Sequence, residues 1–180
     1  MIHAMIDLET LSTRPNATIL TIGGVKFDPY SFAEPSQGMY HRVDVDSQTA
    51  IGRDVMQETV EWWGQQAQDV RDEALGDDDR IDLKYFIKQV NKFSVGVDVF
   101  WCQGPLFDYA ILQNFYAQMN VPVPWNYWQI RDSRTLFSLV PRDPNEKRTG
   151  LHNALEDCYF QAKKVQRVYK QLDIKDPSKY

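Results

Sequence analysis

The chain has 180 residues and a formal net charge of −5, from 20 Lys+Arg against 25 Asp+Glu, and 43 % of its residues are hydrophobic. This composition is typical of one globular domain over residues 1–180, and it excludes a mainly disordered protein. No apolar run approaches the roughly 20 residues of a membrane span, so no membrane partner is expected. The excess of acidic residues argues against a nucleic-acid-binding protein that works through long-range attraction of phosphate by positive charge.

The N-terminus and the cysteines indicate a cytoplasmic protein. The first six residues (MIHAMI) lack the basic region and long apolar segment of a secretory signal. Cys102 and Cys158 have no CxxC partner, which disfavours a thiolate zinc site. Two cysteines allow a disulfide, but two buried thiols in a reducing compartment are the favoured interpretation.

The predicted elements begin with three consecutive strands at residues 6–11, 17–27 and 39–45, most simply an antiparallel meander. Apolar periodicity then predicts a helix at 56–75 broken near Gly64, a helix at 83–93, a strand at 97–102, a helix at 107–119, a strand at 128–133, a helical turn at 134–139 and a helix at 154–172. Residues 141–149 (PRDPNEKRT) are predicted to be a loop and are the best candidate for a mobile flap. This order predicts an α/β domain with a mixed sheet flanked by helices.

Asp7 and Glu9 are the first candidate functional residues. Alternate residues of a strand share a face, so both carboxylates point the same way while Ile6 and Leu8 point into the core. Two carboxylates one pleat apart repel each other unless a cation joins them. The same pattern also occurs on solvated strand faces, so a metal site and a solvent-facing pair both remain open.

Asp108 follows the predicted strand at 97–102 and lies in the first turn of the next helix. Sites of α/β folds usually lie at the carboxyl ends of strands, which favours a functional role. An aspartate there also stabilises the helix dipole, which is the purely structural alternative.

His152 and Asp157 lie on either side of a predicted helix start. Asn153 is a good N-cap, and Glu156 three residues later completes a pattern resembling a capping box. His152 and Asp157 then occupy N′ and N4, the positions that a hydrophobic staple brings together. A structural histidine is the alternative interpretation.

Together these four carboxylates and one histidine predict a single cleft. Carboxylate oxygens suit Mg²⁺ or Mn²⁺, and two such ions stabilise the attacking and leaving oxygens of phosphodiester hydrolysis. A histidine that titrates near neutral pH can deprotonate the attacking water. The four acids contribute −4 of the net charge of −5, which two divalent cations would offset, so binding of a polyanion should depend on the metal.

The ordered set Asp7-x-Glu9, Phe107-Asp108 and His152-x-x-x-x-Asp157 resembles the DEDDh family of 3′–5′ exonucleases. The resemblance implies an RNase H-like fold, in which the first three strands of the sheet are antiparallel and the later strands parallel. It also implies that Asp7, Glu9 and Asp157 bind one metal ion, with Asp7 bridging to a second. Asp108 would hold that second ion, directly or through water, and His152 would be the general base.

Two further segments narrow the resemblance to small phage and bacterial exonucleases. Residues 59–66 (TVEWWGQQ) and 131–136 (RDSRTL) are similar to members named exoribonucleases or exodeoxyribonuclease VIII-like enzymes, so those names disagree about the sugar. Family members often dimerise, which makes a homodimer one expectation.

The favoured interpretation is a metal-dependent 3′–5′ exonuclease with two Mg²⁺ ions, or Mn²⁺ as a substitute. It would release nucleoside 5′-monophosphates from the 3′ ends of single-stranded nucleic acid. DNA and RNA differ in the 2′-hydroxyl, whose contacts the sequence does not place. Hydrolysis of dinucleotides or other small nucleotides would use the same chemistry. The alternative from another class is a non-catalytic RNase H-like module that binds nucleic acid or a protein partner.

Several residues are candidates for substrate contacts. Thr10 and Leu11 follow the acidic pair, and Leu11 is either a wedge against the last base or a core leucine. Trp62 and Trp63 cannot face the same way on a helix, so one should be buried and the other could stack on a base. The sequence does not tell which of the two faces the substrate; Trp62 is the candidate, with Tyr109 as a second. The candidates for phosphate contacts are basic residues near the predicted site, namely Arg131, Arg134, Lys147 and Arg148.

Overall fold

The computed structural model of the protein describes residues 1–144, 146 and 152–179. Its strands and helices in chain order are β1 (His3–Thr10), β2 (Ile19–Phe27), β3 (Ser36–Val43), α1 (Val45–Ala50), α2 (Gln57–Gly64), α3 (Gln68–Leu75), β4 (Arg80–Ile81), α4 (Leu83–Ser94), β5 (Val99–Cys102), α5 (Asp108–Gln118), β6 (Ile130–Asp132), α6 (Ser133–Phe137) and α7 (Ala154–Gln171). Short 3-10 helices lie at Tyr127–Gln129 and Pro177–Lys179.

The strands form one six-stranded sheet in the order β4-β3-β2-β1-β5-β6. The first three strands pair antiparallel, whereas β5 pairs parallel with both β1 and β6. This arrangement confirms the expected RNase H-like mixed sheet. Because β1, β5 and β6 run in the same direction, their carboxyl ends lie at one edge of the sheet.

Two short elements were not expected from the sequence. Strand β4 pairs parallel with the end of β3 at the sheet edge. It has only two residues, too few to produce a periodic sequence pattern. Helix α1 begins where the third strand was expected to continue, because the Asp44 side chain accepts a hydrogen bond from the amide of Ser47 and caps the helix. The predicted break at Gly64 is confirmed, since α2 ends there and α3 starts at Gln68.

Helices cover both faces of the sheet, and a core cluster lies on each side. Ala4, Ile6 and Leu8 of β1 face the cluster that α4 and α5 complete. Met5, on the opposite face, packs in the cluster formed with α7. Asp7 and Glu9 follow Met5 at two-residue steps, so they lie on the face that α7 covers. A third, smaller cluster consists of Leu11 after β1, Leu20 of β2, Trp63 of α2 and Ala74 of α3.

The start of α7 lies unusually close to the sheet. A Cβ atom at Gly23 would lie 2.2 Å from the carbonyl carbon of Ala154, so only glycine permits this approach. Gly23 is paired with Asp7 in the β1–β2 ladder, which places the first turns of α7 directly over the acidic strand.

The predicted loop at 141–149 is described only at 141–144 and 146, where the chain has neither helix nor strand; its other residues lie outside the described part of the chain. Both cysteines are free and buried, as expected. Within the described residues, every helix is too short or too polar to cross a bilayer.

Candidate active site

Strand β1 extends beyond its neighbour β5 at the carboxyl edge of the sheet. The last paired residues of β1 and β5 are Met5 and Trp101, so the following residues of β1 have no strand partner on that side. Asp108, at the start of α5, occupies this position and accepts a hydrogen bond from the amide of Leu8 at 3.0 Å. The carboxyl end of β5 and the overhang of β1 thus bring Asp108 beside the acidic pair.

Three of the expected metal ligands lie together in the structure. One carboxylate oxygen from each of Asp7, Glu9 and Asp157 lies within 4.8 Å of the other two. Asp157 is buried on α7, whereas Asp7 and Glu9 are half-buried on β1. Because α7 approaches the sheet closely at Gly23, Asp157 of α7 reaches the two carboxylates of β1.

The electrostatics of this cluster favour a cation. Burial raises the pKa of Asp7 well above its usual value, and the negative charges of Asp108, Glu9 and Asp157 raise it further. A hydrogen bond of 3.2 Å from the Gln161 amide nitrogen to Asp7 Oδ1 acts in the opposite direction. Crowded, buried carboxylates of this kind stay ionised only when positive charge is brought among them.

Asp108 is also a buried carboxylate, with only 3 % of its surface exposed. Burial raises its pKa above the usual value, while its hydrogen bonds to the Leu8 amide and to Cys102 and the charge of Arg134 lower it. The Arg134 guanidinium is held nearby by a 3.0 Å hydrogen bond to the carbonyl of Gln103. Asp108 is therefore a buried carboxylate that lies beside the overhang of β1 and close to Arg134.

His152 immediately precedes the N-cap of α7, as expected. The Asn153 side chain accepts hydrogen bonds from the amides of Leu155 and Glu156, both at 3.1 Å. His152 itself has a φ of +63°, a left-handed backbone conformation that costs a non-glycine residue about 1–2 kcal/mol. Its ring packs edge-to-face against Trp62, with the ring centroids 4.8 Å apart at an interplanar angle of 90°.

The two tryptophans of α2 face different surroundings, which settles which of them is in the core. Trp63 is 1 % exposed and donates a hydrogen bond from Nε1 to the Thr10 carbonyl at 2.9 Å. Trp62 is 40 % exposed. Both tryptophans line a cavity of about 410 Å³ next to the acidic cluster, together with Leu8, Glu9, Thr10, Thr13, Met56, Glu58, Thr59 and Phe107.

Thr10 borders this cavity, but two of the other expected substrate contacts lie elsewhere. Leu11 packs with Leu20 in the third core cluster, which favours its interpretation as a core leucine. The ring of Tyr109 is 4 % exposed and packs against Phe100 and Trp125, a core position that disfavours the expected stacking on a base. Asp108 and Tyr109 are neighbours on a helix and point about 100° apart, so the tyrosine enters the core.

The basic residues expected to contact phosphate fall into three groups. Arg134 lies near Asp108, as described above. Arg131 donates hydrogen bonds to the carbonyls of Trp128 and Ile130, so it stabilises the chain entering β6. Lys147 and Arg148 lie outside the described residues.

Two residues that shape the cluster were not identified from the sequence. Gly23 permits the approach of α7, and its signal was the Gly23-Gly24 pair inside a strand, where glycine often marks a close backbone approach. Gln161 is 1 % exposed and contacts Asp7. Its signal was its position four residues after Asp157, on the same face of α7.

The known proteins that resemble this chain in sequence or in fold include several nucleases. The chain is 25 % identical over 193 residues to an exodeoxyribonuclease of Enterobacteria phage T4, covering 88 % of this chain and 85 % of that protein. The fold resembles the zinc-bound complex of E. coli exonuclease I with single-stranded DNA, with a TM-score of 0.67 and 13 % identity over 96 % of this chain. Our chain spans 41 % of the length of that structure.

A second similar structure is the nuclease domain of 3′hExo, a DEDDh family member, bound to rAMP. It has a TM-score of 0.58 and 15 % identity, and the match covers 94 % of this chain and 92 % of that domain. The model of the 3′-5′ exoribonuclease Rv2179c-like domain matches residues 2–169. The chain thus belongs to the family of 3′-5′ exoribonuclease Rv2179c-like domains, which makes it a member of a 3′–5′ exonuclease family.

Proposed function

We propose that residues 1–180 form one metal-dependent exonuclease domain that removes nucleoside 5′-monophosphates from the 3′ ends of single-stranded nucleic acid. The observation that carries this proposal is the group of carboxylate oxygens from Asp7, Glu9 and Asp157 that lie within 4.8 Å of one another. A non-catalytic binding module would not require three crowded acids, two of which, Glu9 and Asp157, raise the pKa of the third, Asp7. Membership of an exonuclease family supports the catalytic interpretation.

The donor set fits Mg²⁺, with Mn²⁺ as a substitute. The carboxylate oxygens of the three acids lie within 4.8 Å of one another, close enough for one such ion to be held by all three. Asp7, Glu9 and Asp157 would hold one ion, with Asp7 shared with a second ion beside Asp108. Two such ions supply charge stabilisation for the attacking and leaving oxygens of a phosphodiester.

The reaction adds one water molecule across the terminal phosphodiester. The P–O3′ bond breaks, the phosphate stays on the released nucleotide, and the shortened strand keeps a 3′-hydroxyl. We assign His152 as the general base that takes the proton of the attacking water. The position of His152 beside the start of α7, one turn from Asp157, supports this assignment.

The cavity beside Glu9 is the site we assign to the terminal nucleoside. Its volume of about 410 Å³ exceeds the minimum of typical small-molecule sites, and its lining is mainly apolar and aromatic. Thr10 and Phe107 form part of its wall, and the partly exposed Trp62 offers a ring for contact with the base. Arg134, near Asp108, is the candidate contact for a phosphate of the strand.

The relatives support a nucleic-acid substrate without favouring one sugar. The E. coli exonuclease I structure contains single-stranded DNA, whereas the 3′hExo domain contains rAMP. The family description names an exoribonuclease and the phage relative an exodeoxyribonuclease. We therefore propose single-stranded DNA or RNA, with the two compared in the same assay.

Digestion of 5′-labelled oligonucleotides tests the proposal. With Mg²⁺ or Mn²⁺, the wild type should shorten single-stranded DNA, RNA or both from the 3′ end, and a chelator should stop the reaction. Asp7→Asn should lower the rate by about 100-fold or more, the scale seen when one group that stabilises transition-state charge is lost. The fold should survive, because this change removes one charge from a crowded group.

Asp69→Asn, an exposed position in the first turn of α3, is the matched control and should keep wild-type activity. Short oligomers and dinucleotides in the same series define the substrate length. Failure of the wild type to degrade DNA, RNA or short oligomers with either metal would refute the proposal, and cuts inside the chain would show an endonuclease instead.

We also propose that the protein acts in the cytoplasm, because its two cysteines are free thiols buried in the core. A homodimer stays a prediction, which sedimentation or light scattering of the purified protein would test.

A further inference from the structure

Trp62 contacts both the nucleoside cavity and the histidine. It lines the cavity together with Glu9 and Thr10, and its ring also packs at 4.8 Å against the ring of His152. The interplanar angle of 90° is the edge-to-face geometry that aromatic rings prefer. This one side chain therefore connects the surface expected to bind substrate with the group assigned as general base.

Trp63 holds the helix that presents Trp62. Its Nε1 donates to the carbonyl of Thr10, the last residue of the strand that carries Asp7 and Glu9. The rings of Trp62 and Trp63 also pack edge-to-face, with centroids 5.0 Å apart at 75°. The buried hydrogen bond of Trp63 thus fixes α2, and with it Trp62, relative to the strand that carries Asp7 and Glu9.

His152 needs contacts of this kind because its backbone is strained. A residue with a side chain keeps a φ of +63° only where its surroundings compensate for the cost. The described ring contacts of His152 are with Trp62 at 4.8 Å and Trp63 at 6.3 Å, both on α2. Helix α2 is about 90 residues away in the chain, so this support comes from the tertiary structure.

We propose that Trp62 is a positioning residue that holds the ring of His152 in its catalytic place and makes that place depend on occupancy of the nucleoside cavity. A nucleoside in the cavity restricts the indole, and the indole in turn restricts the imidazole. Proton transfer then becomes efficient when a 3′-terminal nucleotide is bound. This inference rests on the proposed function, because it takes His152 as the general base.

A double-mutant cycle on turnover tests the coupling. Trp62→Leu keeps apolar volume but removes the ring, and it should lower kcat by about tenfold, the upper effect of one edge-to-face aromatic contact. In a His152→Ala background the same change should alter kcat by less than about twofold, because the group on which it acts is gone. Trp62→Phe keeps an aromatic edge contact and should stay within about threefold of the wild type.

Trp128→Leu is the matched control. Trp128 is also exposed, but it precedes β6 and so lies at the end of the parallel strands opposite to the acidic cluster. This variant should leave kcat and KM unchanged.

Nuclear magnetic resonance gives a second readout that does not require turnover. The chain has three histidines, so the ring signals of His3, His41 and His152 can be separated in protein labelled with ¹³C-histidine. The ring current of Trp62 should displace the His152 signal, and Trp62→Leu should move that signal alone. Adenosine 5′-monophosphate with Mg²⁺ should move it in the wild type and much less in Trp62→Leu.

An equal loss of kcat from Trp62→Leu in both backgrounds would overturn the inference, as would an unchanged His152 signal. Either result with an active wild type would leave the exonuclease proposal intact. An inactive wild type would instead refute the proposed function.

Discussion

Replacing Gly23 by alanine tests whether the acidic cluster depends on the close approach of α7 to the sheet. The new Cβ would lie 2.2 Å from the carbonyl carbon and oxygen of Ala154 and 2.4 Å from the amide nitrogen of Leu155. Ordinary contact of a Cβ atom begins near 3.4 Å, so the first turn of α7 must retreat by roughly 1 Å. Because α7 carries Asp157 and Gln161, both would move away from Asp7.

The magnitude follows from the size of this displacement. Overpacking of this kind costs about 1–3 kcal/mol of folding free energy, which lowers the Tm of a chain of this length by roughly 2–12 °C. A misplacement of about 1 Å in a catalytic constellation lowers the rate by about 100-fold. We therefore expect the variant to fold with a lower free energy of unfolding, and its exonuclease rate to fall much more noticeably than its Tm.

Gly24→Ala is the matched control for this prediction. Its Cβ would meet the tip of the Phe93 ring at 2.9 Å, on the other face of the sheet, where a side chain can adjust. Thermal unfolding, Mn²⁺ binding by calorimetry and exonuclease rates should be measured for both variants. The reasoning fails if Gly23→Ala binds Mn²⁺ and turns over as well as Gly24→Ala does.

Two further predictions concern buried polar groups outside the cluster. Burial lowers the pKa of His3 from 6.5 to about 4. Between these two pH values the histidine is therefore mostly protonated in the unfolded chain and mostly neutral in the folded protein. This contribution to stability is complete above about pH 6.5 and falls by about 3 kcal/mol as the pH drops to about 4. Urea unfolding of the wild type minus that of His3→Phe should show this slope, and a constant difference would contradict it. Tyr109→Phe should keep the exonuclease rate and raise stability by up to about 1 kcal/mol, because the buried Tyr109 hydroxyl has no hydrogen-bond partner in the described structure. A large loss of activity in this variant would return Tyr109 to the substrate site.

Local patterns predicted most of the fold. Strand β1 alternates between two buried faces, and α4 repeats its apolar residues at helical spacing, so each was identified with small errors at its ends. The start of α7 followed from the capping preference of Asn153. Helix α1 and strand β4 were missed, because six and two residues are too few for a periodic signal.

The surroundings of the candidate site were much less accessible to sequence reasoning. Trp62 was expected to contact a base, and the structure shows that it also packs against His152. Tyr109 was expected beside the substrate, but the turn of α5 directs it into the core. Neither outcome follows from residue type, since an aromatic ring suits a base, a histidine or a core equally well.

The sequence by itself indicated the chemistry that we propose, because carboxylates and a histidine at the ends of predicted elements suit only a few reactions. It also determined the order of the longer strands and helices, since periodicity and capping act over a few neighbouring residues. Only the tertiary structure decided which groups meet. Gly23 with Ala154, Gln161 with Asp7 and Trp62 with His152 are each separated by about 90 to 150 residues, and their distances depend on how helices pack on the sheet.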